Sequence, residues 1–145
     1  MLLGISRYIG PELLSIAYKM GHGDEIVLAD AFFPGHSLNA CTIRCDGVEI
    51  DNLLEGLLPL FPIDNYTDES IVMMETFCDD QYDSTIECNY KDIIGKYSKD
   101  IKSNIIKIPR FSFYERAKSA FAVVMTGETA KYGNIILKKG VTPIL

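Results

Sequence analysis

The stretch Gly21-His22-Gly23-Asp24-Glu25-Ile26-Val27-Leu28-Ala29-Asp30 decides the fold. Its apolar run, Ile26 to Ala29, shows no polar alternation, which is the pattern of a strand buried on both faces. Asp30 then falls at the carboxyl end of that strand. Upstream, Pro11 and Glu12 open a segment in which Leu13, Leu14, Ile16, Ala17 and Met20 recur at helical spacing, and Gly21 stands where a left-handed cap is wanted. A helix followed by a doubly buried strand is the beginning of a layered α/β arrangement.

The rest of the chain repeats the alternation. Cys41 to Arg44 reads as a short strand closed by the turn signal Asp46-Gly47. Ile50, Leu53, Leu54, Leu57 and Leu58 predict a helix that Pro59 and Pro62 limit. Ile71 to Phe77 reads as a strand, and the polar segment Asp79 to Ser103 as a loop leading into a short helix around Tyr90 to Tyr97. Ile105, Ile106 and Ile108 form a β-branched strand ended by Pro109. Ser112 and Glu115 have the spacing of a capping box, predicting a helix from about Phe113 to Ala120. Phe121 to Met125 and Ile135 to Leu137 are two further strands, joined by a connection with Gly127, Glu128, Tyr132 and Gly133. The expected architecture is a single α/β domain over residues 1–145, with a mainly parallel sheet flanked by helices. In such sheets ligands sit outside the carboxyl ends of the strands, where Asp30, Arg110 and Tyr132 fall or flank.

Composition narrows the partners. Fourteen Lys plus Arg against twenty Asp plus Glu leave a net charge of −6, which argues against nucleic-acid binding. The first residues lack a long apolar run behind a basic start, so no signal peptide is expected. Nowhere do about eighteen uninterrupted apolar residues occur, so no membrane helix is expected either. Cys41, Cys45, Cys78 and Cys88 are then expected as reduced thiols of a soluble, cytoplasmic protein. Neither their spacing nor the two histidines suggests a zinc site, and no metal or organic cofactor is expected.

A few side chains are suited to chemistry. His22 lies between two glycines, and histidine exchanges protons near neutrality; the plainer reading makes it a surface loop residue beside a helix cap. A metal site of His22, His36, Asp24 and Asp30 is disfavoured, because the histidines stand fourteen positions apart on separate loops. Asp30 suits the binding of ligand hydroxyls or the orienting of a histidine, and equally an N-cap or turn. Phe113, Ala117 and Phe121 read as core, leaving Arg110 and Tyr114 to face a pocket, with Tyr114 as a proton relay. Tyr132-Gly133-Asn134 offers a phenol and an amide to a polyhydroxylated ligand, or is an ordinary hairpin turn. Phosphate-cradling loops, dinucleotide fingerprints and nucleophile elbows are absent from the sequence.

Residues 21–30, the run Arg110-Phe111-Ser112-Phe113-Tyr114-Glu115-Arg116-Ala117 and the run Thr126-Gly127-Glu128-Thr129-Ala130-Lys131-Tyr132-Gly133-Asn134 together resemble the fucose mutarotase branch of the ribose pyranase and fucose mutarotase family. The likeness runs from the first helix to Lys139 and is weakest between about Thr67 and Asn104. It implies interconversion of the α and β anomers of L-fucose without a cofactor, by a ring-shaped, decameric homo-oligomer. By motif, His22 resembles the family's catalytic proton donor, and Tyr114 a tyrosine implicated in proton transfer. Asp30, Asp64, Arg110, Tyr132 and Asn134 resemble its sugar-binding residues. Phe32 stands where the family often has a polar residue, and Cys45 where it has alanine before Asp46-Gly47. Two other readings stand beside this one: a D-ribose pyranase, which uses the same ring opening, and a sugar-binding protein without turnover.

Overall fold

The computed structural model describes residues 1–98 and 104–144. In chain order run α1 (Pro11–Lys19), β1 (Glu25–Ala29), α2 (Gly35–Leu38), β2 (Thr42–Cys45), α3 (Ile50–Leu57), β3 (Ile71–Met74), α4 (Thr85–Tyr97), β4 (Ile106–Ile108), α5 (Arg110–Ser119), β5 (Ala122–Thr126) and β6 (Ile135–Lys138). The strands form one sheet in the order β2-β5-β1-β6-β3-β4. β2, β5 and β1 pair in parallel, as do β3 and β4; β6 lies antiparallel between β1 and β3. The sheet is therefore mainly parallel, as the alternation predicts, with one reversed strand inside it.

The unbroken apolar run of β1 has its reason in this topology. Ile26 and Leu28 pack on one face with Leu13, Ile16, Leu53, Leu54, Leu57, Tyr90 and Ile94 from α1, α3 and α4. Val27 and Ala29 pack on the other with Phe33 and with Phe113 and Ala117 of α5. Helices cover both faces, so no position on the strand has a wet side.

Several local expectations are corrected. α1 does not end on a left-handed Gly21: its C-cap is an extended Met20, and the left-handed glycine is Gly23 at φ 86°. Lys139 Nζ donates to the carbonyls of Ala17 and Met20 at 2.8 and 2.7 Å, so an ammonium from the far end of the chain satisfies the helix terminus. The Ser112–Glu115 capping box does not form. α5 starts three residues earlier, at Arg110, where Phe113 N donates to the Pro109 carbonyl at 2.9 Å, and Glu115 instead pairs with Lys118. α4 begins at Thr85, because Asp83 Oδ1 accepts from the amide and hydroxyl of Thr85 at 2.9 and 2.6 Å and holds the first turn. Residues 99–103 of the expected polar segment lie outside the described residues. The strand expected to reach Phe77 stops at Met74.

Tyr132-Gly133-Asn134 is not a hairpin turn, since β1 lies between β5 and β6. The four-residue α2, too short for any periodicity to show, was not anticipated. It packs against the sheet so closely that a Cβ at Gly35 would come within 2.5 Å of Met125 Sδ.

Candidate functional site

A cleft of about 680 Å³ opens outside the carboxyl ends of β1, β3 and β4, the side on which ligands bind such sheets. Each of these three strands contributes as it leaves the sheet: Asp30 after β1, Glu75 to Phe77 after β3, Pro109 and Arg110 after β4. Because β6 runs the opposite way, its incoming connection delivers Lys131, Tyr132 and Asn134 to the same rim. Phe32, Phe33, Met74, Phe77 and Phe111 supply apolar wall.

At the floor, Asp30 is 6% exposed and Asn134 3%. Asn134 Oδ1 accepts from Asp30 N at 2.8 Å, while Asp30 Oδ1 accepts from Phe32 N at 2.9 Å. Burial pushes the Asp30 carboxyl above the ordinary range; the Phe32 and Phe33 amides and the Asn134 side chain pull it down, and the charge of Glu128 adds to the rise. The result is a desolvated acceptor that gains from a hydroxyl brought by a ligand.

The two phenols of the rim are wired differently. Arg110 Nε donates to Tyr114 Oη at 3.0 Å, which leaves the proton of Tyr114 uncommitted. Tyr114 stands edge-on to Phe33, ring centroids 5.5 Å apart, so its ring is held by the core. Tyr132 Oη donates its proton to Asp80 Oδ2 at 2.6 Å and accepts from Phe77 N at 3.3 Å. The hydrogen bond to Asp80 raises the Tyr132 phenol above its ordinary pKa. Tyr114 can therefore relay a proton, whereas Tyr132 offers an oxygen acceptor and a ring face.

Of the seven side chains singled out from the sequence, this cleft gathers Asp30, Arg110, Tyr114, Tyr132 and Asn134. His22 and Asp64 lie together elsewhere. His22 Nε2 is 3.2 Å from Asp64 Oδ1, which also accepts from Tyr66 N, and the Tyr66 ring packs against the imidazole at 5.4 Å. This pair sits at the amino end of β1, where Gly23 N and Asp64 N donate to Lys139 O and Lys138 O. The five residues of β1, about 17 Å of strand, separate it from Asp30. Asp64 is buried and His22 is 48% exposed, so the carboxylate orients an imidazole that faces outward.

Sequence reasoning missed Asp80, Lys131, Glu75 and Phe77 of the rim. They belong to irregular segments, and the one signal there was the acidic pair Asp79-Asp80 between a strand and a helix. Among the described residues, no group of three or more His, Cys, Asp or Glu side chains converges as a cation would require. None of the described helices is long and apolar enough to cross a membrane.

Fold and cleft thus define an α/β protein with a polar-floored cleft, of a size for a small ligand, outside the carboxyl ends of its strands. The chain belongs to the RbsD / FucU transport protein family, whose profile matches residues 3–142. It is 52% identical over 145 residues to an L-fucose mutarotase of Haemophilus influenzae (strain 86-028NP), covering all of both chains. It is 50% identical over 148 residues to one of Histophilus somni (strain 2336), covering 99% of each. The crystal structure of the fucose mutarotase of Streptococcus pneumoniae in complex with L-fucose superposes with a TM-score of 0.92 at 47% identity, covering 98% of this chain and 100% of that one.

Proposed function

We propose that this protein interconverts the α and β anomers of L-fucose, in the cytoplasm, as a ring-shaped homo-oligomer. The observation that carries the reading is the convergence of Asp30, Arg110, Tyr114, Tyr132 and Asn134 on one cleft, in a chain half identical over its full length to L-fucose mutarotases. A buried carboxylate, a buried amide and an arginine suit sugar hydroxyls, and the aromatic wall suits the apolar edge of a 6-deoxy pyranose. Four unpaired cysteines agree with a reducing compartment.

Anomer exchange needs the C1–O5 bond broken, rotation about C1–C2 and reclosure. An acid protonates the ring oxygen while a base takes the proton of the anomeric hydroxyl, leaving the open-chain aldehyde; closure on the opposite face returns both protons. Tyr114 takes the anomeric proton on its free lone pair and passes its own to water, held meanwhile by Arg110. His22 is the group suited to protonate the ring oxygen, with Asp64 behind it.

Within one chain His22 cannot reach the cleft that holds Tyr114, so the proposed site is completed by a second copy. The outward-facing His22, with exposed Tyr66 beside it, forms one face; the cleft mouth, with exposed Phe32, Phe77 and Phe111, forms the other. Two different patches meeting head to tail generate a closed ring when the rotation closes.

Saturation-transfer NMR on L-fucose at anomeric equilibrium, with D-ribose alongside, tests the reading. Faster exchange between the fucose anomers, abolished by His22→Ala, is expected. Enhancement confined to ribose pyranose–furanose exchange would replace it with a pyranase, and line broadening without exchange with a sugar-binding protein.

A further inference from the structure

Among the described residues, two that are not glycine have left-handed backbone: Asp79 at φ 66° and Tyr132 at φ 62°. For a tyrosine this conformation is costly, and such residues persist where their surroundings hold them in place. The two strained positions lie at opposite ends of a single contact. Asp80, next to Asp79, accepts from Tyr132 Oη through Oδ2 at 2.6 Å and from Lys131 Nζ through Oδ1 at 2.9 Å. Phe77 N, three residues before Asp80, donates to the same phenol oxygen. Residues 77–80, leaving β3, and residues 131–132, arriving at β6, are thus tied across the rim of the cleft.

We propose that Asp80 is a positioning residue of the sugar site, acting through Tyr132: it accepts the phenol's hydrogen bond, sets the ring against the cleft and fixes Tyr132 as a hydrogen-bond acceptor toward the sugar. The inference rests on the mutarotase reading for its substrate. Both Asp80 oxygens are already engaged by Lys131 and Tyr132, so its effect reaches the sugar through Tyr132. It also separates the two phenols by role. Tyr114 keeps a mobile proton beside Arg110, whereas the proton of Tyr132 is committed and moves no charge during ring opening. Loss of Asp80 therefore weakens binding far more than turnover.

The test compares L-fucose exchange rates over a range of sugar concentrations for the full chain and four variants: Asp80→Ala, Asp80→Asn, Tyr132→Phe and the Asp80→Ala/Tyr132→Phe double. Loss of a hydrogen bond to an ionised group predicts about a tenfold rise in KM for Asp80→Ala, with kcat within about threefold. Asp80→Asn, whose amide oxygen still accepts from the phenol, recovers most of that loss. The double variant is no worse than Tyr132→Phe alone. Losses that multiply in the double variant, or an unchanged KM in Asp80→Ala, overturn the proposal.

A second readout needs no turnover. In protein labelled at tyrosine 13Cζ, the Tyr132 signal, assigned by its loss in Tyr132→Phe, should ionise at lower pH once Asp80 is replaced by Ala, because its acceptor is gone. An unmoved midpoint overturns the contact. If the unsubstituted protein exchanges no fucose, the mutarotase reading fails while this midpoint still reports on Asp80.

Discussion

Two variants, each nearly inactive alone, are expected to restore activity when they share a ring. One carries His22→Ala; the other carries Arg110→Ala and Tyr114→Phe. About 17 Å of β1 stands between His22 and the cleft, so one chain cannot supply both halves of the proposed acid–base pair. A head-to-tail contact takes its histidine face from one copy and its cleft from the next. With random mixing, half of the histidine faces and half of the clefts are intact, so about one site in four is whole. Each parent should retain roughly one hundredth of the normal rate or less, the usual loss when a positioned acid or base is removed. The mixture should then exchange fucose anomers on the order of 25 times faster than either parent. Co-expression with two different affinity tags and tandem purification isolates rings that contain both chains, and saturation-transfer NMR reads the rate. A mixed ring no faster than the average of its parents would refute the shared site, and with it the role given to His22.

Three further outcomes follow from the geometry. Tyr114→Phe should lower kcat about a hundredfold while leaving KM within about twofold, since the proposed mechanism has the phenol move a proton and other groups hold the sugar; saturation-transfer kinetics separates the two. Asp30→Asn should abolish exchange yet increase stability near neutral pH. The native carboxyl is raised above 3.8 by burial, so the unfolded chain loses its proton first, and stability falls as pH rises from 3.8 through the raised native value. The melting temperature of the Asn variant should therefore gain on that of the unsubstituted protein across this window and hold its gain above it; a difference constant with pH would sink the argument. Gly127→Ala should destabilise the fold by about 2 kcal/mol in a denaturant titration, because the new Cβ would lie 2.4 Å from the backbone carbonyl oxygen of Asp46, which has no rotamer by which to move away.

What could be read in advance followed from local physics. The unbroken run Ile26–Ala29 implied cover on both faces, and the sheet has it. The residue after that strand implied a ligand-side carboxylate, and Asp30 lies on the cleft floor. What could not be read was any contact whose partners are distant in sequence. Lys139 capping α1 and β1 inserted between β5 and β6 both depend on strand order, which has no local signal. The cleft rim shows the same division. Arg110 and Tyr114 are one helical turn apart and announce each other, whereas Asp80 meets Tyr132 across 52 residues of chain from a segment without periodicity. The separation of His22 from the cleft belongs with these, since the sequence brings His22 and Asp30 within eight positions and the strand between them carries them to opposite ends of the sheet.

The reversed strand β6 has a bearing on how the chain comes to be folded. Among the described residues it is the one strand that joins β2-β5-β1 to β3-β4, and it is also the last to be synthesised. β1, made first, has both of its neighbours in the final quarter of the sequence, so a nascent chain lacking residues 122–138 holds the apolar run Ile26–Ala29 with no hydrogen-bonding partner on either edge. Folding on the ribosome cannot proceed half by half; the sheet closes only when residues up to Lys138 have emerged. Damage near the carboxyl terminus is accordingly not a local lesion: a chain ending before Ile135 loses the seam of the sheet and, with Asn134 unanchored, the floor of the cleft.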